Sequence, residues 1–414
     1  MKKIMILAGG NDQAALIREL KHHYGGEVET VLLDMNANVP AHDVCDRFLP
    51  VSTMDRKAVL EAAKNEKIDF ILTACGDQPL STMAYVSAQL GLPSYLTEED
   101  VRNLTDKVFM KQMMVNHDIP TARHFVDNGT IDRNELLEKV SRLTFPIVVK
   151  PNDSNGSKGV KKVTDINDFF RYYDEAMSYS LSKQVIVEEF KQGTELSVDV
   201  YVEGTEAKLL SITTSNKIKS NSDSFTILQS VYPPRVKYEE DKVREIAQKI
   251  SVAFGLHDTP LLVQMIVDEQ GNYNVIEFSA RMGGGSKYRF IQAVSGVNIM
   301  RVYVDMVLGN KPHVDPVQQY HNATMSYVYS YPGIYESIQG LDELKAQGLI
   351  LDYFIYKMPH TEITKSNTSS DRVAGFLIVG DSESEVDDKL RQVNGLLKVL
   401  DPDGKDIMRH DFFE

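Results

Sequence analysis

The sequence predicts a multidomain chain built of one α/β unit and two α+β units, and three observations carry that expectation. Short apolar runs alternate with helix-patterned segments over residues 1–97. Strands then crowd together with few crossovers between residues 98 and 310, and the pattern changes again over 311–414.

In the first unit, Lys3–Ala8 is a strand candidate that Gly9-Gly10 turns into the helix Gln13–His22. Val31–Asp34 and Phe70–Ala74 are further strands, the latter closed by the loop ACGDQ (74–78), with helix patterns at Arg56–Asn65 and Leu80–Leu90. Such alternation implies a parallel sheet with helices on both faces. A polar stretch, Leu96–Lys107, leads into the helix Val108–Asn116, which stops before Ile119-Pro120 because proline disfavours helical geometry in the residue preceding it. In the second unit the strands are Pro146–Lys150, Gln184–Glu189, Glu195–Val202, Lys208–Thr214, Leu261–Val267 and Tyr273–Phe278, the last two joined by the turn DEQGN, with a helix at Asp241–Phe254. The third reads as strands Ala323–Tyr331, Leu349–Met358 and Val373–Val379 with helices Glu336–Gln347 and Ser384–Leu397.

Composition limits the function classes. Hydrophobic residues at 42% and charged residues at 25% are ordinary for a soluble globular chain, and 414 residues are too many for one core. A formal charge of -14 argues against an extended nucleic-acid surface, which needs a positive field. Cys45 and Cys75 form neither a metal-ligand spacing nor a disulfide framework and read as buried small residues, not reactive thiols. No apolar run approaches membrane-spanning length, and the N-terminal run is too short for a signal peptide, so a cytoplasmic protein without membrane partners is expected.

Three segments could carry chemistry. FPIVVKPNDSNGSKGV (145–160) sets Lys150 at a strand end before a loop of small residues, whose amides could approach phosphate oxygens beside Lys158. A solvated hairpin is the plainer alternative, and the Walker A spacing is absent. QVIVEEFKQGTELSVDVY (184–201) alternates so that Glu195, Ser197, Asp199 and Tyr201 share one face, which an ordinary half-buried sheet would also show. VIEFSARMGGGSK (275–287) sets Glu277, Ser279 and Arg281 side by side before three glycines. That could hold Mg²⁺ and a transferring phosphoryl group, or be a surface ion pair before a turn.

Taken in order, these segments resemble the ATP-grasp superfamily through nearly the whole chain. LTDKVFMKQMMVNHDIPTARHF is similar to the family's entry motif, FPIVVKP to its second nucleotide lysine, SNGSKGV to its glycine-rich flap, VEEF to its adenine hinge and VIEFSAR to its "viEiNxR" run. The resemblance implies a Rossmann-like pre-ATP-grasp domain (1–97), an ATP-grasp domain (98–310) with its flap subdomain at about 122–190, and a C-terminal α+β lobe (311–414). That lobe, PGIYESIQGLDELKAQGLI followed by DRVAGFLIVGDSESEVDDKL, looks like that of carboxylate–amine ligases of the carbamoyl-phosphate synthase large-subunit-like and L-amino acid ligase-like kind.

The same resemblance implies ATP and Mg²⁺, or Mn²⁺, as cofactors. Lys107, Lys150, Ser157, Lys158 and Gly159 would meet phosphates, Glu188, Glu189 and Phe190 would line the adenine hinge, with Glu188 and Phe190 using backbone groups, and Glu195 would hold the ribose. Glu277 would bind the metal with Gln264 and Ser279, while Arg281 and Lys150 would serve the reaction itself. Two departures stand out: Gln264 occupies the place of a second acidic ligand, and Ser279 that of the motif's Asn. The implied activity joins a small carboxylate and an amine, one of them an amino acid, with Ser215–Ser224 and Gly283–Ser286 as candidate substrate contacts and a homodimer as the default assembly. Activation of formate or bicarbonate, or an ATP-binding protein with a degraded metal site, are the alternatives. A dehydrogenase is disfavoured because Gly9-Gly10 lacks the GxGxxG spacing.

Overall fold

A computed structural model describes residues 1–153, 159–218, 226–365 and 368–413. β1 (Lys2–Leu7), β2 (Val28–Leu33), β3 (Arg47–Leu49) and β4 (Phe70–Leu72) form a parallel sheet in the order β3-β2-β1-β4. The intervening helices are α1 (Asn11–Tyr24) and α2 (Arg56–Glu66), and α3 (Asp77–Leu90) follows β4. Successive residues of β1 enter different cores: Met5 and Leu7 pack with Val59, Leu80 and Met83, whereas Ile4 and Ile6 pack with Leu16, Ile17 and Leu20. A strand covered on both faces reads as a continuous apolar run, which is why the N-terminal KIMIL does not alternate.

The polar stretch Leu96–Lys107 is largely helical. Residues Glu98–Thr105 form α4 and Lys107–Asn116 form α5. Thr97 Oγ1 accepts the Asp100 amide at 3.1 Å while the Asp100 carboxylate accepts the Thr97 amide at 2.8 Å, a reciprocal capping box. The T-x-x-D signature was present in the sequence, and the polarity of its surroundings masked it.

A small antiparallel sheet follows, made of β5 (His124–Asp127), β6 (Ile147–Pro151), β7 (Lys161–Val163) and β8 (Val185–Glu189) in the order β5-β8-β6-β7, with α6 (Arg133–Ser141) and α7 (Phe169–Tyr179) enclosing its own core. The large sheet starts with β9 (Thr194–Glu203), β10 (Glu206–Lys217) and β11 (Ile227–Tyr232), and after α8 (Glu240–Ala253) gains β12 (Thr259–Val267) and β13 (Tyr273–Ser279). Next come α9 (Lys287–Ser295), α10 (Ile299–Val307), β14 (Asn322–Val328), β15 (Gly333–Tyr335), β16 (Ser337–Gln339), α11 (Leu341–Ala346), β17 (Asp352–Ile355), β18 (Thr361–Ile363), β19 (Ala374–Gly380), α12 (Glu383–Leu396) and β20 (Lys398–Leu400).

The eight strands of the large sheet run β13-β12-β9-β10-β11-β14-β19-β17, so the composition change near residue 310 falls between strands of one sheet, with β11 pairing antiparallel to β14. Part of the helix expected over 336–347 is instead β16, paired with β20. The alternating strand β9 is buried on both faces, not half-buried: Leu196, Val198 and Val200 enter one core while Ser197, Asp199 and Tyr201 are also covered. No helix is long and apolar enough to cross a membrane among the described residues. Cys45 and Cys75, expected to be buried, are both only partly so.

Candidate active site

The small and large sheets face each other across a cleft of about 410 Å³. On the small sheet, Val148 of β6 lies opposite Glu188 of β8, which leaves Lys150 diagonal to that carboxylate. Lys150 Nζ reaches Glu188 Oε1 at 2.5 Å, and Lys111 of α5 reaches Oε2 at 2.7 Å while donating to Thr121 Oγ1 at 2.6 Å. All three charged residues are buried. Burial opposes the charge on Glu188, but the two ammonium groups overcome it and hold its carboxyl down at about 2. The Glu188 side chain, expected to matter only through its backbone, is therefore the counter-charge of two cleft lysines, and Lys111 is a member that sequence reasoning missed. Its signal was a lysine four residues beyond Lys107 on the same helix face.

The backbone of the expected hinge is largely engaged within the small sheet. The Glu189 amide donates to Arg123 O and the Phe190 amide to Pro146 O, both at 2.9 Å. Glu189's carboxylate accepts the Thr144 amide at 3.0 Å and pairs with Arg123 and Lys191.

Lys107 opens α5 and donates to Asn152 O at 3.2 Å. Burial pulls its ammonium below the usual range, and Glu277 is the strongest charge acting the other way. On the large sheet, Glu195 pairs with Lys217 at 2.9 Å and accepts the Gln264 amide at 3.4 Å. Gln264 stands in register with both Glu277 and Ser197, so the expected ribose and metal residues occupy neighbouring strands.

Of the three expected metal ligands, Glu277 is exposed towards the cleft and Gln264 lies opposite it. These are oxygen-bearing side chains, the type Mg²⁺ prefers when waters and phosphates complete its shell. Ser279 does not join them: its hydroxyl donates to Asp77 Oδ1 at 2.7 Å. No cluster of three His, Cys, Asp or Glu residues able to hold a metal occurs among the described residues. The fit is thus to a cation held by one carboxylate and one amide.

Asp77 also organises Arg281. Arg281 Nε and Nη2 meet its two carboxylate oxygens at 2.8 and 3.1 Å, and Nη1 donates to Met282 O at 2.9 Å. Despite burial, which opposes both charges, Arg281 holds Asp77 below the usual carboxylate range, and Asp77 raises Arg281. Asp77 belongs to the ACGDQ loop, at the C-terminal end of a parallel strand, where crevices of α/β sheets form.

The adjoining loop Gly283–Ser286 docks at the same C-terminal end of that sheet, on the residues after β1: the Gly285 and Ser286 amides donate to Asp12 at 3.1 and 2.9 Å, and Asn11 donates to Ser286 Oγ at 3.0 Å. Behind it, the buried Lys287 meets Thr213 Oγ1 at 2.9 Å and Asp199 at 3.4 Å. Ser157, Lys158 and residues 219–224 of the polar segment lie outside the described residues. Gly159 is described: its φ of 73° and the Tyr179 ring, 2.9 Å from where a Cβ would stand, both require glycine.

Comparison with known proteins bears on the central domain and on the fold. The ATP-grasp domain family model matches residues 143–288. The carbamoyl phosphate synthase large chain of Clostridium botulinum is 23% identical over 69% of this chain and 26% of its own length. An uncharacterized Sinorhizobium fredii protein, y4rH, is 21% identical over 76% of this chain. The chain spans only 65% of that relative and about a quarter of the synthase.

Among solved structures, phosphoribosylglycinamide synthetase from Anaerococcus prevotii superposes with TM-score 0.76 and 20% identity, covering 97% of this chain and 99% of that one. L-amino acid ligase from Bacillus licheniformis gives TM-score 0.75 and 20% identity over the same shares. The biotin carboxylase domain dimer of Hydrogenobacter thermophilus 2-oxoglutarate carboxylase, solved with MgADP and bicarbonate, gives 0.79 and 14%, covering 96% of this chain and 90% of that one. Residues 143–288 thus match the ATP-grasp domain family, and nearly the whole chain shares the fold of these solved structures.

Proposed function

We propose that the chain is an ATP-dependent, ADP-forming ligase that joins a carboxylate to an amine through an acyl-phosphate, with an amino acid as one substrate. The observation that carries this reading is the convergence on one cleft of Lys107, Lys150, Gln264 and Glu277, with Arg281 at its end anchored by Asp77. A free carboxylate is a poor electrophile, because its charge is delocalised and oxide is its leaving group. Once phosphorylated it releases phosphate to an attacking amine. Most of the catalysis is then positioning and charge compensation.

Lys107 and Lys150 sit where they can hold phosphoryl oxygens, Lys150 by exchanging its contact with Glu188 for one with the nucleotide. Glu195 faces the ribose. Arg281, pre-oriented by Asp77, stabilises the acyl-phosphate or the oxyanion formed on it. Mg²⁺, or Mn²⁺, held by Glu277 and Gln264 would neutralise charge on the nucleotide phosphates. MgADP bound to a protein of the same fold supports that choice, and a small-molecule enzyme working in the cytoplasm as a homodimer is the setting proposed for it.

The test is phosphate release by the purified chain with ATP and Mg²⁺ against pools of amino acids and small carboxylates. Stimulation by one pool is expected, with a loss of roughly two orders of magnitude or more in Glu277→Ala. Absence of stimulation by any pool, with ADP still binding, sinks the reading.

One observation favours a second reading, an ATP-binding protein with a degraded metal site: Gln264 directs its amide at Glu195 and leaves Glu277 as the single acidic ligand of the expected set. Gln264→Glu separates the two. A large gain in turnover supports degradation, and a loss shows that the amide is adapted to the reaction.

A further inference from the structure

Among the described residues, three cations border the Gly283–Ser286 loop, and two of them are matched by a carboxylate: the partly exposed Arg281 by Asp77 and the buried Lys287 by Asp199. The third, Arg372, sits just before β19 and is only 8% exposed. Its guanidinium lies 3.6 Å from the centroid of the Tyr327 ring, Nε donates to Tyr329 Oη at 3.3 Å, and Nη2 donates to Ser369 Oγ at 3.3 Å. These partners are all uncharged. Burial pushes the Tyr327 hydroxyl up to about 12 and the Tyr356 hydroxyl well up, so neither supplies a negative charge near neutrality.

Among the described residues, no ion pair includes Arg372. Asp12 feels its charge, but Asp12 is already occupied by the Gly285 and Ser286 amides. A buried guanidinium without a carboxylate is costly to keep, and its planar fork suits a two-oxygen anion.

The position of that fork identifies where the anion would come from. A Cβ on Gly285 would stand 2.6 Å from Arg372 Nη1 and 2.8 Å from the Tyr327 hydroxyl, so Nη1 faces the backbone of the loop that begins beside Arg281. Gly285 itself adopts a φ of 75°, which lets the loop pass that close. Tyr327 donates to Gly285 O and Tyr356 to Ser286 Oγ, both at 3.0 Å, fixing the loop against the C-terminal strands.

We propose that Arg372 receives an anionic group, carboxylate or phosphate, that the substrate carries in addition to the carboxylate activated at Arg281. The proposal rests on the ligase reading for the identity of the activated group, not for the existence of the anion site. It makes Arg372 the residue that selects substrates by a second charge. An amino acid bearing its own α-carboxylate meets that requirement, and so does a phosphorylated amine.

The test is calorimetric titration of the full chain, preloaded with ADP and Mg²⁺, using matched probes: amino acids against their α-amides, and phosphoethanolamine against ethanolamine. The wild type is expected to bind the charged member of one pair about tenfold tighter or better, and the pair concerned tells carboxylate from phosphate. Arg372→Gln is expected to abolish that preference while ADP affinity stays within about twofold. If the glutamine variant does not fold, Arg372→Lys, which keeps the charge and loses the fork, should reduce the preference severalfold.

No charged-member preference in the wild type, or the full preference retained in the variant, overturns the proposal. Turnover measured on the same samples separates the two readings. Preference without turnover defeats the ligase and leaves the anion site, whereas turnover with an unchanged preference in the variant does the reverse.

Discussion

At the end of the cleft proposed for the nucleotide, Lys111 and Lys150 share Glu188, and the residues concerned lie within 111–188 on one small sheet and the helix beside it. At the end proposed for the substrate, Arg281 reaches back 204 positions to Asp77, the loop after it reaches Asp12, and Arg372 arrives from the C-terminal strands. Both ends bury positive charge. The first neutralises it locally, with lysines that can exchange one anion for another. The second draws on three parts of the chain and leaves one guanidinium facing neutral partners. The contrast fits a site in which the shared cosubstrate is met by a self-contained module and the variable one by a junction.

The largest expected effect tests the local neutralisation. Glu188→Ala leaves two buried ammonium groups facing each other, and denaturant titration should show a loss of about 3–5 kcal/mol. If the loss is within error of zero, the two lysines do not depend on that carboxylate and the contrast between the ends fails. At the junction, Asp77→Asn keeps the shape but removes the charge that orients Arg281. A fall of roughly 100-fold in kcat/KM with ADP affinity nearly unchanged is the expected outcome. Equal damage to both would mean that the ends are not separable.

A pH series sharpens the same point. Glu188 titrates at about 2 when folded, below the ordinary carboxylate range, so its contribution to stability is complete above that range and lost as pH falls towards 2. Glu188→Gln should flatten the acid limb of the stability curve relative to wild type, on the order of a few kcal/mol across that window. The smallest effect belongs to the partly exposed pair Glu195–Lys217. Lys217→Ala should change stability by less than about 1 kcal/mol. A larger change would show that this pair belongs with the buried group.

Much of the nucleotide end was legible because its motifs are short in sequence and its strands alternate. Lys107, Lys150, Glu195, Gln264 and Glu277 all line one cleft. The misplaced side chains share a cause. Ser279 turned to Asp77, and Glu188 turned inward to two lysines, because in each case the decisive partner lies on another element. The polar face of β9 misled in the same way: alternation reports that a strand has two kinds of face, and it cannot report that α9 and its Lys287 cover the polar one.

Local pattern in the chain accounts for most of the element types, the parallel first sheet, an order of motifs that resembles ATP-grasp proteins and the absence of an acidic residue at position 264. These follow from local propensity, periodicity and spacing, which act over a few residues. Long-range packing is what makes β14, β17 and β19 continue the central sheet, anchors Arg281 on Asp77, and buries Arg372 with no carboxylate partner among the described residues. Those outcomes depend on which distant surfaces exclude water together, and the electrostatics of a buried group are set by such neighbours, not by the residues beside it in the chain.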